Sequence, residues 1–212
     1  MQVAIAKRSF QNDPHCGDQG GNWHSDERTV LCIVDGLGHG EDAEQAALMA
    51  MDYVAHHLSE PLSVMFAGCD QALRYSRGTV MGICVIDNDG ATLTYAGVGN
   101  PRAMVVRAPL VESDVEPFAG LAEGAGGRTI HLLATNGIVG GGYRVLSPQR
   151  VQLCRGDLVI MVTDGIRERF DTIVGFGAAT QHVDVGPLAQ KILQDWNKAS
   201  DDAAVLVFRN EG

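Results

Sequence analysis

Four aspartates stand where the chain turns beside an apolar run: Asp18 in Cys16-Gly17-Asp18, Asp35 in Val34-Asp35-Gly36, Asp164 in Thr163-Asp164-Gly165 and Asp201 in Ser200-Asp201-Asp202. Two of the runs, 28–34 and 158–163, end on the same dipeptide, Asp-Gly. A carboxylate at the end of a buried strand lies at the edge of a core, where partners or a cation must offset its charge. The glycine that follows lets the backbone carbonyl turn toward the same point. Oxygen donors of this kind suit hard cations such as Mg²⁺ or Mn²⁺, whereas zinc prefers sulfur and nitrogen. Each Asp-Gly alone reads as an ordinary turn. The four together make a metal centre only if the fold gathers them, which spacing does not decide.

The elements that would position these residues are readable from periodicity. Residues 28–34 form a β-branched apolar run with the signature of a buried strand. From Glu41, the residues Ala43, Ala46, Ala47, Ala50, Met51, Val54 and Leu58 recur at helical spacing, with Glu41, Asp42 and Glu44 favouring the positive end of the helix. Pro61 restarts the chain, and a second helix is predicted up to about Arg77. Residues 79–87 and 91–96 read as strands joined through Asn88-Asp89-Gly90, a hairpin turn sequence, and 102–107 as the next strand. Between 108 and 150, Pro109, Pro117 and two glycine clusters flank a short apolar run at 130–134, which predicts strands joined by mobile loops. Residues 151–153 and 158–163 around Arg155-Gly156-Asp157 read as a second hairpin. A helix over 186–197 and a strand over 203–208 follow. Hairpins with helices grouped between them fit an α+β sandwich better than a parallel βαβ sheet.

Composition removes several function classes. The 212 residues, 45% of them hydrophobic and 20% charged, suit a single domain spanning 1–212. A net charge of −10 repels phosphate backbones and anionic lipid, so neither a nucleic-acid nor a membrane partner is expected. The longest apolar stretches are far shorter than the ~20 residues of a membrane span, and a cytoplasmic location is expected. Five cysteines, at 16, 32, 69, 84 and 154, form no Cys-x-x-Cys pair and read as buried reduced thiols. Gly36-Leu37-Gly38-His39-Gly40-Glu41 departs from the dinucleotide fingerprint, which needs glycine where Glu41 stands. His56-His57 lies within the predicted first helix and reads as surface or core rather than as a ligand pair.

In order along the chain, Cys16-Gly17-Asp18, Val34-Asp35-Gly36-Leu37-Gly38-His39-Gly40, Gly97-Val98-Gly99-Asn100-Pro101, Val162-Thr163-Asp164-Gly165-Ile166 and Asp201-Asp202-Ala203-Ala204-Val205-Leu206-Val207 resemble the motifs of the SpoIIE-type, type 2C-like metal-dependent serine phosphatases. The resemblance implies an α+β fold of two antiparallel β-sheets packed as a sandwich and flanked by helices. It implies two Mn²⁺ or Mg²⁺ ions, with Asp35 bridging both, Asp18 and the Gly36 carbonyl completing one site, and Asp164 and Asp201 holding the other. Two such cations, about 3.5–4 Å apart, lower the pKa of a bridging water and neutralise the phosphoryl oxygens. The resemblance thus implies a catalytic as well as a metal-binding role for Asp35. In eukaryotic type 2C enzymes a histidine two residues after the bridging aspartate can act as acid; here that residue is Leu37, and His39 is the candidate general acid. The motif series lacks an arginine for gripping phosphate. The resemblance also implies phosphoserine or phosphothreonine substrates, among them phosphorylated STAS-domain proteins of a stressosome. A catalytically inactive phosphoprotein-binding module and a small-molecule phosphatase are the competing readings. The glycine-rich segments 120–127 and 137–142 are candidate substrate contacts or plain connectors.

Overall fold

Val30, Cys32 and Val34 pack to one side of their strand, Leu31 and Ile33 pack to the other, and all five are fully buried. A strand covered on both faces must be apolar at every position, which is why 28–34 reads as an unbroken run. In the computed structural model, which describes residues 2–87, 91–108, 129–168, 170 and 184–212, this pattern recurs through two antiparallel sheets. One sheet has the order β1 (Gln2–Arg8), β12 (Ala203–Arg209), β11 (Leu158–Val162), β6 (Arg102–Val106) and β7 (Thr129–Leu132). The other has the order β10 (Gln149–Gln152), β5 (Thr92–Val98), β4 (Thr79–Asp87), β3 (Arg28–Gly36) and β2 (Asp18–His24).

The hydrophobic residues divide into three layers. Leu31, Ile33, Tyr95, Met161, Leu206 and Phe208 fill the space between the sheets. The helices α1 (Glu41–His56) and α2 (Leu62–Ala72) cover the outer face of the β3–β4 sheet, and α3 (Val185–Trp196) covers the outer face of the β11–β12 sheet. The buried face of α1 is Ala43, Ala46, Ala47, Ala50 and Val54, and its small side chains let it lie close to β3. No helix among the described residues is long and apolar enough to cross a membrane.

Most predicted elements are present, β4 with the predicted bounds, but four expectations change. The second helix ends at Ala72 rather than Arg77, because Ser76 folds back: its hydroxyl donates to the Leu73 carbonyl and accepts from the Gly78 N–H. Segment 137–142 is a tight hairpin, β8 (Gly137–Ile138) with β9 (Gly142–Tyr143), fastened by paired hydrogen bonds between Thr79 and Val139 of 2.9 and 2.8 Å. Segment 120–127 and the Asn88-Asp89-Gly90 turn lie outside the described residues, although β4 and β5 do pair on either side of that turn. Cys154 is exposed, unlike the other four thiols.

The fourth change is topological. Arg155-Gly156-Asp157 is not a hairpin turn, for β10 pairs with β5 while β11 pairs with β6 and β12. The chain crosses from one sheet to the other at this corner. Asp157, only 1% exposed, fixes it by accepting from Ala108 N–H at 2.9 Å, Cys154 N–H at 2.8 Å and Arg107 Nη1 at 2.6 Å. Truncating Asp157 to alanine leaves those donors without their partner, so Asp157→Ala is expected to cost about 3 kcal/mol. A urea titration should show a lower midpoint with an unchanged slope.

Candidate active site

Antiparallel pairing brings the end of one strand beside the start of the next, and this places the acidic residues at one end of the sandwich. Asp18, the first residue of β2, is directly opposite Asp35, the penultimate residue of β3. Asp164 follows the end of β11, and Asp201 precedes the start of β12, its antiparallel neighbour. Asp35, Asp164, Asp201 and His39 line a single open cleft of about 550 Å³, together with Asn100 and Asn136. Asp18 is buried behind Asp35, and its Oδ2 has no hydrogen-bond partner. A groove of similar size, about 540 Å³, is lined by Val3, Asn22, His24 and Thr29, with no carboxylate among the described residues of its wall, so volume alone does not mark the site.

The fold holds these residues through short contacts. The Gly36 N–H donates to the Gly17 carbonyl at 3.0 Å, tying the end of β3 to the residue before Asp18. A Cβ on Gly36 would stand 2.0 Å from the Ala43 carbonyl oxygen, so only glycine lets α1 approach this closely. Asn100 Nδ2 donates to Asp164 Oδ2 at 2.8 Å. Arg102 donates to the carbonyls of Thr163, Ile166 and Arg167 and stacks 5.5 Å from the Phe170 ring, wrapping the turn that carries Asp164. His39 is exposed, with its ring 5.6 Å from that of Phe10.

Like charge and low dielectric dominate the electrostatics. Burial first, then the carboxylates of Asp164, Asp201 and Asp202, push the Asp35 carboxyl up to about 7, and Lys198 opposes them. Burial and the facing Asp35 hold the Asp18 carboxyl well above the usual carboxylate range, against a hydrogen bond from Thr163. Burial and Asp164 also raise Asp201. Among the described residues none of the four aspartates forms an ion pair with lysine, arginine or histidine. The donor set is oxygen only, one buried oxygen lacks a partner, and the mutual repulsion asks for positive charge; all three fit a hard divalent cation. Among the described residues no three such donors are gathered tightly around one point.

Three supporting residues were not assigned from sequence. Asp202, 2% exposed, accepts from the Phe10 N–H at 2.6 Å and the Gly17 N–H at 2.7 Å, pinning the segment before Asp18 to the start of β12. Its only trace in the sequence is that it doubles Asp201 ahead of an apolar strand. Asn100 could be suspected from the Gly-Asn-Pro turn between two strands. Arg102 reads as the polar start of a strand and gives no further signal.

A two-sheet sandwich clad by helices on both outer faces, with an acidic cleft at one end, is the type 2C phosphatase fold. The chain belongs to the SpoIIE family: the model of that family, stage II sporulation protein E, matches residues 25–211. Phosphoserine phosphatase RsbX of Bacillus subtilis (strain 168) is 30% identical over 113 residues, which is 53% of this chain and 56% of RsbX, so the match spans about half of each protein. Among solved structures, a chain described under "the bacterial stressosome: a modular system that has been adapted to control secondary messenger signaling" superposes with a TM-score of 0.79 at 25% identity, covering 97% of both chains. RsbX in complex with magnesium superposes with a TM-score of 0.75 at 20% identity over 97% of this chain and 92% of that one.

The raised Asp35 carboxyl predicts how stability responds to pH. Its folded value of about 7 lies above its ordinary value of 3.8, so between the two the folded protein binds more protons than the unfolded chain. Stability from this group is therefore greatest below pH 4 and is lost as pH rises through 7. In chelator, Asp35→Asn is expected to melt several degrees above the native protein at pH 7.5 and to show a shallower slope between pH 4 and 7, read by calorimetry.

Proposed function

We propose that residues 1–212 form one metal-dependent phosphatase domain that removes phosphate from phosphoserine or phosphothreonine on bacterial regulatory proteins. The observation that carries the reading is that Asp35, Asp164 and Asp201 line one open cleft, with the unpartnered Oδ2 of Asp18 behind Asp35. Asp35, Asp18 and the Gly36 carbonyl would hold one ion, and Asp35 with Asp164 and Asp201 would hold a second. When bound, two Mn²⁺ or Mg²⁺ ions supply a water acidic enough to attack phosphorus and neutralise charge on the phosphoryl oxygens. The chain's own part is to fix positions: Asn100 orients Asp164, Arg102 stiffens its turn, and Asp202 holds Gly17 and hence Asp18. His39 lines the cleft wall and in this reading gives a proton to the departing serine oxygen.

A phosphoserine side chain is a small target, so an open cleft suits a phosphorylated protein surface. Membership of the SpoIIE family and the likeness to RsbX and to a chain from a stressosome structure support phosphorylated STAS-domain proteins of a stressosome as partners, in the cytoplasm.

Hydrolysis of nitrophenyl phosphate should rise with Mn²⁺ or Mg²⁺ and vanish with chelator. Asp35→Asn should lose at least about a hundredfold in turnover while staying folded; near-native activity in that variant would overturn the assignment. His39→Ala should separate substrates by leaving group. On a phosphoserine protein, whose alkoxide must be protonated, kcat is expected to fall about a hundredfold. On nitrophenyl phosphate, whose leaving group departs unaided, it should barely change.

A further inference from the structure

We propose that Arg77 is a substrate-phosphate contact, held beside the cleft by an exchangeable ion pair with Asp42. The proposal rests on the phosphatase reading. A phosphate monoester entering the cleft is a dianion approaching Asp35, Asp164 and Asp201, so its outward oxygens need donors from the walls. One wall is the loop after β3, where Leu37, Gly38 and His39 face the cleft. That loop is fastened to the turn after α2 by the Leu37 N–H, which donates to the Gly78 carbonyl at 3.1 Å.

Arg77 extends from the same turn across the loop. A Cβ on Gly38 would stand 2.8 Å from Arg77 Nη1, so the guanidinium lies directly against a cleft-lining residue. Gly38 has φ +92°, a conformation that glycine alone takes readily, and its bare Cα leaves room for the arginine. Arg77 Nη2 donates to Asp42 Oδ2 at 2.8 Å. Both partners are well exposed, at 47% and 65%, so the pair is weak and screened. A phosphate dianion can take both arms of the planar guanidinium, as a carboxylate can, and brings a larger charge than one solvated carboxylate. Asp42 loses little in the exchange, because it sits in the first turn of α1, where the helix N-terminus favours negative charge.

The two halves of the ion pair therefore have opposite effects. In the full-length protein with Mg²⁺, Arg77→Ala should raise KM for nitrophenyl phosphate and the inhibition constant of inorganic phosphate about tenfold each, with kcat within about twofold. Arg77→Lys should recover part of the loss, since it keeps the charge but not the fork. Asp42→Asn, which frees the guanidinium, should lower both constants. A purely structural pair would make Arg77→Ala and Asp42→Asn shift the constants in the same direction, or leave them unchanged while lowering the melting temperature equally; either result overturns the proposal. If Arg77→Ala does not fold, Arg77→Lys and Asp42→Asn still give opposite signs or fail to. Calorimetric titration of inorganic phosphate into the same variants reads the contact without turnover. A wild-type protein that hydrolyses nothing would sink the phosphatase reading, while the phosphate affinities would still decide the role of Arg77.

Discussion

Carboxylates crowded at one end of a sandwich repel each other, and the rest of the molecule is arranged to withstand that repulsion. Asp18 and Asp35 face each other across adjacent strands, and Asp164 and Asp201 raise the local negative charge from the opposite sheet. Left to themselves, side chains in a low dielectric would move apart or take up protons. The three buried layers oppose this by fixing the strand ends on which the aspartates stand. Such a centre is a strained site maintained by its surroundings, and the free energy stored there becomes useful when positive charge enters.

The residues that withstand the repulsion do so through backbone groups more than through countercharges. Asp202 accepts two backbone N–H bonds, Arg102 donates to backbone carbonyls, and Asn100 is neutral. A lysine or arginine paired tightly with Asp35 would satisfy the aspartate and compete with a cation for it. Neutral and backbone contacts give the same geometric fixity and leave the negative charge of the cleft in place.

Much of this was legible in the chain. Val30 to Val34 had to be a strand covered on both faces, the spacing from Ala43 to Val54 had to be a helix against it, and Asp-Gly at the ends of two apolar runs pointed to oxygen ligation. What was not legible is long-range. Arg155-Gly156-Asp157 has the chemistry of a hairpin turn, yet pairing of its flanking strands with β5 and β12 overrides the local signal. Asp202 resembles any residue before a strand, because its partners Phe10 and Gly17 lie at the other end of the chain. Arg77 fell at the end of a predicted helix, and only the folding back of Ser76 after α2 turns it toward Gly38 and Asp42. Local chemistry shows what a segment can form, whereas its neighbours in space decide which side chains meet.

The sheet order has a consequence for assembly. β12 lies between β1 and β11, so a strand from the far end of the sequence must insert into the middle of its sheet and pair with the first. Contacts of such large sequence separation form slowly, since the whole intervening chain must be drawn together before they give any return. Asp201 and Asp202 arrive with that strand. A polypeptide still emerging from the ribosome therefore has α1, α2 and the strands β3 and β4 available well before β12, and it has no completed acidic centre until that strand has been made. Topology thus acts as a timer, delaying chemistry until the scaffold that must contain it is closed.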